Sequence, residues 1–419
     1  MYARLISEKT SERTILLLTG PILHPALIAL VLAVGLFGCD SPNSLPAPPT
    51  GTVRIISSMP SKGYAATQAQ QIEQAIDLAV NERSAAVGTW KVEHIALSDS
   101  DEETGDWSAA KESSNAQQAA ADPSVVVYIG PYNSGAAMVS LPITNRASLL
   151  QIAPSATWPG LSQVGWNAGE PGIYFPTGIR NMVRMMPADT IQAKAAALWA
   201  LQLNKSDVVI LNDGSSYSAG LAQAFKDAAG SHPGVVGKSI TISPTDLSSV
   251  PGQVASSSVF YAPSTVANAV AVSRALQANN TTVFATDTAL NREFSSGAGE
   301  SSRNWLIASN STDFSDFSDL AAFASFARRF EAAYGVKPSQ FTANAYDATN
   351  LVLDSLLIDG DNRVAISSAV LNTREYHGAT GSIAFVASTG ERTTWRADGY
   401  RLANGAFEKV ATFSSTPAP

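Results

Sequence analysis

Short β-branched runs alternate along this chain with longer stretches whose apolar residues recur at helical spacing. VRII at 53–56 predicts a strand. Ile72, Ala75, Ile76, Ala79 and Val80 then fall at i, i+3, i+4, i+7 and i+8, one face of an amphipathic helix. Residues 92–97 predict a second strand, and residues 111–121 a helix that Asp122 and Pro123 end. VVVYI at 125–129 is a continuous apolar run of the kind buried in parallel sheets. A helix over 134–145 and a strand over 149–153 follow.

After Pro187 a similar cycle restarts. It predicts helix 191–203, strand 208–211, helix 219–229, strands 238–242 and 259–261, helix 265–278 and strand 283–286. Two such cycles imply an α/β protein with two doubly wound, Rossmann-like lobes. Strand 305–308, helices 320–334 and 341–357, and late strands 381–386 and 400–410 return to complete both lobes. A chain that crosses between lobes more than once has a multi-strand hinge. The expected division is a first lobe over 52–186, completed by 306–378, and a second over 187–305, completed by 379–412, with a disordered tail at 413–419.

The N-terminus has a different pattern. Arg4, Lys9 and Arg13 precede an apolar run at 26–37, too short to span a bilayer comfortably. Gly38 and Cys39, the sole cysteine of the chain, end it. A small residue before a lone cysteine at the end of an apolar segment resembles the lipobox of bacterial lipoproteins. That resemblance implies a signal peptide over 1–38, a lipid on Cys39 and an extracytoplasmic protein anchored at the periplasmic face or cell surface. The alternative is an uncleaved anchor in which Cys39 is incidental, and it too leaves the bulk of the chain outside. Residues 39–51 contain four prolines and read as a semi-rigid tether.

Composition removes several function classes. The formal charge of −8 argues against nucleic-acid binding. With one cysteine there is no intrachain disulfide. There is no HExxH, GxSxG, P-loop or GxGxxG. His24 lies in the signal segment, and His94, His232 and His377 lack metal-like spacing. No catalytic set, cofactor or metal is therefore expected. The acidic residues between Asp99 and Asp106 read as a solvated loop, because their spacing does not fit an EF-hand.

In open parallel sheets ligands bind beyond the carboxyl ends of the strands. Ser134 follows the strand at 125–129 and is either the N-cap of the next helix or a carboxylate contact. Ser155, Ala156 and Thr157 follow the next strand and offer hydroxyls and exposed amides, or simply form a turn. Tyr217 follows strand 208–211 and either faces the cleft or packs on the lobe surface. Ser264 follows strand 259–261. Asp287 follows strand 283–286 and either caps a helix near 288–291 or pairs with an ammonium group. Hydroxyls and amides in one lobe, with a tyrosine and a carboxylate in the other, would suit a zwitterion.

The same segments resemble a known family. IGPYNSGA at 129–136, IAPSAT at 152–157, DGSSYSAGLA at 213–222 and FATD at 284–287 are similar to segments of the leucine/isoleucine/valine-binding proteins, as are YGVKPS at 334–339, AYDA at 345–348 and GATGSI at 378–383. Those proteins are the substrate-binding components of branched-chain amino acid ABC transporters. The resemblance implies a type I periplasmic-binding fold with three hinge crossings, and amino-acid capture by hinge closure. Its expected partner is a membrane permease of the ABC type. It places Ser134, Ser155 and Thr157, with the Ala156 backbone, at the carboxylate. It places Tyr217 in the cleft and Asp287 at the ammonium group. Ser264 stands where many members have a tyrosine. Residues 158–180, with Trp166, Glu170, Tyr174 and Phe175, would line or cover the cleft mouth. A second reading of the same fold is a ligand sensor or regulator uncoupled from transport.

Overall fold

A computed structural model describes residues 51–63, 65–230, 234–255, 257–310, 321–339 and 341–414. The signal segment, Cys39, nearly all of the tether, His232 and residues 415–419 lie outside the described residues. Among the described residues no helix is long and apolar enough to cross a membrane.

The first cycle runs β1 (Gly51–Met59), α1 (Ala66–Glu82), β2 (Ala86–Val87), β3 (Trp90–Ser98), α2 (Ala109–Ala121), β4 (Val125–Ile129), α3 (Ser134–Arg146), β5 (Leu150–Ala153) and β6 (Met182–Arg184). These strands form one sheet in the order β2-β3-β1-β4-β5-β6. All its neighbours pair in parallel except the edge strand β2. All five residues of β4 are buried, which is why that strand reads as an unbroken apolar run. The five stripe residues of α1 are all buried against the sheet and the later helices.

The second cycle runs α4 (Asp189–Gln202), β7 (Val208–Asn212), α5 (Ser216–Ala229), β8 (Val236–Thr241), α6 (Val250–Val254), β9 (Val259–Tyr261), α7 (Val266–Leu276), β10 (Val283–Thr286), α8 (Arg292–Ala298) and β11 (Trp305–Ser309). Helices α9 (Ala321–Tyr334), α10 (Thr342–Asp359) and α11 (Arg363–Leu371) follow. Short strands β12 (Tyr376–Gly378), β13 (Gly381–Ile383), β14 (Phe385–Val386) and β15 (Glu391–Arg392) precede the closing pair β16 (Arg396–Ala403) and β17 (Ala406–Ser414). The second sheet has the order β17-β16-β11-β10-β9-β7-β8.

Several expected boundaries change. The boundary at 305 falls on β11, which the second sheet takes in whole. Residues 379–392 do not belong to the second lobe: Ile383 and Phe385 sit in the first lobe's core, and Gly390 lies against Met182 of β6. The expected strand at 400–410 is a hairpin, because Asn404 and Gly405 both take positive φ and form a two-residue turn. Its second strand runs to Ser414, so Phe413 and Ser414 are ordered in the sheet rather than part of a tail. Gly51 likewise belongs to β1 and not to the tether. The expected strand at 381–386 is two short ones.

The chain thus passes from the first sheet to the second at 185–188, returns after Asn310, and crosses again at 393–395. Asn310 ties two crossings together, its Nδ2 donating to the carbonyls of Pro187 (2.9 Å) and Ala188 (3.3 Å).

A polar cluster in the first lobe has Ser57 and His94 buried and Asp77 half-exposed at its rim. His94 Nδ1 lies 2.7 Å from Asp77, and its Nε2 lies 2.7 Å from the Ser57 hydroxyl and 3.1 Å from Glu73. Ser57 in turn donates to Glu73. The Ser57–His94–Asp77 order mimics a nucleophile, base and acid. Yet Ser57 is fully buried. Burial alone would push the imidazole down, but its bonds to Asp77 and Glu73 outweigh that and raise it to about 9. A histidine already protonated at neutral pH cannot act as a base there. Its contribution to stability is fully present below 6.5, its unperturbed value, and is lost as pH rises through about 9. The stability difference between wild type and His94→Gln, measured by urea unfolding, should narrow across that window by on the order of 3 kcal/mol. A constant difference would show that His94 is not charged in the fold.

Candidate functional site

Each sheet reverses its strand order once, at β1/β4 and at β7/β9; Ser134, Tyr217 and Ser264 lie beyond those carboxyl ends, Ser155 to Thr157 beyond the neighbouring β5, and Asp287 beyond β10. Ser134 is not the N-cap of α3; Asn133 is. The Ser134 hydroxyl instead accepts the backbone N–H groups of Thr157 and Trp158, both at 3.1 Å. With both lone pairs engaged, this hydroxyl has only its proton left to offer, which suits an anionic acceptor. Ser155 is buried and donates to the Tyr132 carbonyl at 2.9 Å. These bonds draw the ends of β4 and β5 into one polar loop.

That loop rests on Arg184, a fully buried arginine at the end of β6. Its guanidinium donates to the carbonyls of Ala156 (3.2 Å) and Trp158 (2.9 Å) and to the Ser162 hydroxyl (2.9 Å). Glu391 lies 3.4 Å from its Nε. The Ala156 carbonyl shares its peptide plane with the Thr157 N–H, so Arg184 on one side sets that amide toward Ser134 on the other; the plane of the Trp158 N–H is set by the Thr157 carbonyl, which accepts the Asp189 N–H at 3.0 Å. A buried arginine is costly unless its donors are used; here the loop uses the two terminal nitrogens, while Nε has only the Glu391 charge beside it and no hydrogen bond among the described residues.

In the second lobe Asp287 opens a short 3₁₀ turn after β10. It does not cap the following helix; Asn291 does, accepting the Phe294 N–H. The Tyr217 hydroxyl, from the first turn of α5, donates to Asp287 at 2.9 Å. Burial raises the Asp287 carboxyl above its usual range, against the lowering effect of its bonds from Tyr217 and Gln192. Burial and the negative charges of Asp287 and Asp189 push the Tyr217 phenol well up, so it remains a donor. Asp287 has no ion pair among the described residues.

Ser264 is drawn elsewhere. Its N–H (2.9 Å) and hydroxyl (2.8 Å) both donate to Asp213, which also takes Tyr261 and Asn268. Burial opposes ionisation of Asp213, but bonds from Ser215, Ser264 and Asn268 win and hold it at about 2. This cluster braces the ends of β7 and β9.

Sequence reasoning missed Arg184, Asp189 and Gln192. The signal was an arginine inside an apolar strand and two polar residues three apart at the start of a helix otherwise rich in alanine. The acidic stretch was misread at one position. Asp99 is fully buried and neither of its oxygens finds a partner among the described residues, whereas Asp101 is the exposed turn residue expected.

A family model described as periplasmic binding protein matches residues 52–397. The chain belongs to the periplasmic binding protein family. It is 27% identical over 275 residues to the Leu/Ile/Val-binding protein BraC3 of Rhizobium johnstonii, covering 64% of this chain and 70% of that protein. Among solved structures, a leucine-binding protein of Thermotoga maritima matches with a TM-score of 0.68 at 21% identity, covering 86% of this chain and 98% of the other. An ABC-transporter solute-binding protein of R. palustris, in complex with 4-hydroxybenzoate, matches with a TM-score of 0.69 at 18% identity, covering 86% and 97%. The structural likenesses show the fold, the two-lobed type I architecture.

In this periplasmic binding protein the segment after Thr157 bridges the lobes. Glu170 is buried and gathers the Trp158 indole N–H (3.1 Å), the Tyr174 hydroxyl (2.5 Å) and the Asn167 N–H (2.9 Å). Trp158 meets Trp166 edge-on, with ring centroids 5.5 Å apart. Both indoles then lie over Gly220 of α5, where an added Cβ would come within 2.9 Å of the Trp158 ring. Tyr217 is one turn away on the same helix face. Gly220→Leu should wedge the indoles off α5 at a cost of about 1–3 kcal/mol. Glu170→Ala should orphan two buried donors at about 1–3 kcal/mol each. Both variants should enlarge the radius of gyration in X-ray scattering and change tryptophan emission. Unchanged scattering and emission in both would show that this strap does not hold the lobes together.

Proposed function

We propose that this protein is the extracytoplasmic solute-binding lipoprotein of an ABC importer, lipid-anchored through Cys39. In this reading it captures an amino acid, branched-chain or related, between its lobes and delivers it to a membrane permease. The observation that carries the reading is Asp287, a half-buried carboxylate held by Tyr217 and without an ion pair among the described residues. A buried anion without a cation is costly, and a ligand ammonium group removes that cost on binding.

The opposite wall supplies the other half. The Ser134 hydroxyl proton and the Ala156 N–H are suited to a ligand carboxylate, whereas the Thr157 N–H is already given to Ser134 and the Ser155 hydroxyl to Tyr132. Ligand bound between the two walls favours the closed state because only that state contacts both ends. The names of the relatives agree with this chemistry in different degrees. The Rhizobium and Thermotoga proteins are named for branched-chain or leucine binding, whereas the R. palustris protein holds an aromatic acid that has no amine. Asp287 favours the amine-bearing class. Ser264, committed to Asp213, acts as a brace rather than a direct contact.

A thermal-shift screen of the twenty amino acids, amides, urea and aromatic acids tests the class, since a ligand that binds only the folded state raises the melting temperature. The expected result is a shift with an aliphatic amino acid. Asp287→Ala should then weaken binding of that amino acid by about 2–5 kcal/mol in calorimetry. Equal affinity in wild type and variant would remove the role given to Asp287, and a flat panel would move the reading to another solute or to the regulatory alternative.

A further inference from the structure

We propose that Asp189 and Gln192 are positioning residues that link the two halves of the cleft, relaying the setting of the Thr157 loop in the first lobe to Asp287 in the second. The proposal rests on the cleft reading above for its ligand, but the linkage itself is a matter of bonds already in the fold. The Asp189 N–H donates to the Thr157 carbonyl at 3.0 Å, and the nearby Thr157 side chain favours the ionised form of the Asp189 carboxyl. Gln192 Nε2 donates to the same carboxylate at 2.9 Å. Gln192 Oε1 accepts the Asp287 N–H at 3.2 Å. Tyr217 closes the series with its 2.9 Å bond to Asp287.

Three features make this a coupling element rather than ordinary packing. Its position is the first. Asp189 and Gln192 lie three apart on the opening turn of α4, directly after the first crossing, whose Pro187 and Ala188 carbonyls Asn310 holds. Motion of one lobe against the other must therefore strain or carry these bonds. Burial is the second, since Asp189 is 3% and Gln192 0% exposed, so water does not compete for the links. The third is directionality. Gln192 must present its amide nitrogen to Asp189 and its oxygen to Asp287, so a flip at one end breaks the bond at the other. Burial and the nearby Asp287 charge also push Asp189 up to about 7, which places two mutually sensitive acids at the two ends of one glutamine.

The test needs a readout that a purely structural glutamine would not move. In protein labelled with 15N-aspartate, Thr157→Val should shift the Asp287 amide resonance, although Thr157 does not bond to Asp287. In a Gln192→Met background, close in size but without the amide, the same Thr157→Val change should leave that resonance still. Gln192→Leu, which also lacks donor and acceptor, serves as the second background and should behave alike. For binding, leucine is the probe. The effects of Thr157→Val and Asp287→Asn on its affinity should be non-additive by more than about threefold in wild type, and additive once Gln192 is replaced. An Asp287 resonance that ignores Thr157, or that responds equally without Gln192, overturns the relay. If wild type gives no leucine binding, the amino-acid reading fails while the resonance experiment still decides the linkage.

Discussion

A carboxylate that is half-buried and has no ion pair among the described residues constrains everything around it. Asp287 is such a group. The second lobe supplies a phenol and a glutamine amide to steady it, but these do not neutralise it. The hinge crossing adds a second acid, Asp189, at the far end of the same glutamine. The first lobe answers with donors: a hydroxyl left with only its proton to give, and a loop whose carbonyls a buried arginine has tied back. In the proposed reading the two walls are complementary to a molecule with opposite charges at its ends.

The architecture explains why these groups meet. Parallel sheets put all their carboxyl ends on one side, and each sheet's single reversal of strand order opens a crevice there. Separate crossings join the sheets, and Asn310 ties two of these together. The strap with Trp158, Trp166 and Glu170 adds an aromatic contact from the first lobe onto α5, beside the tyrosine that steadies Asp287. In the proposed reading, closure and recognition thus share the same helix.

Much of the fold was legible in the pattern of the chain. The α1 stripe and the apolar β4 run are set by periodicity, and burial in the fold follows them residue by residue. Elements of two or three residues such as β6 were missed, since so short a run has no period. The closing hairpin was read as one strand although Asn404 and Gly405 carry a strong turn signal. Ser134, Ser155, Thr157, Tyr217 and Asp287 could be put forward from the sequence because each follows a strand. What Ser134 does could not, because an N-cap and an acceptor for a distant loop look alike until that loop is in place. Arg184, Asp189 and Gln192 stayed hidden for a related reason. Their roles depend on burial and on partners far along the chain, which one sequence does not display.

The central claim is that the cleft is built around a ligand's positive end. The direct measurement compares leucine with 4-methylpentanoate, which keeps the carboxylate and the branched side chain but has no amine, by calorimetry on the wild-type protein. The account predicts that leucine binds more tightly by about 2–5 kcal/mol, because only leucine relieves the buried charge at Asp287. Equal binding of the two, or preference for the acid, would contradict it.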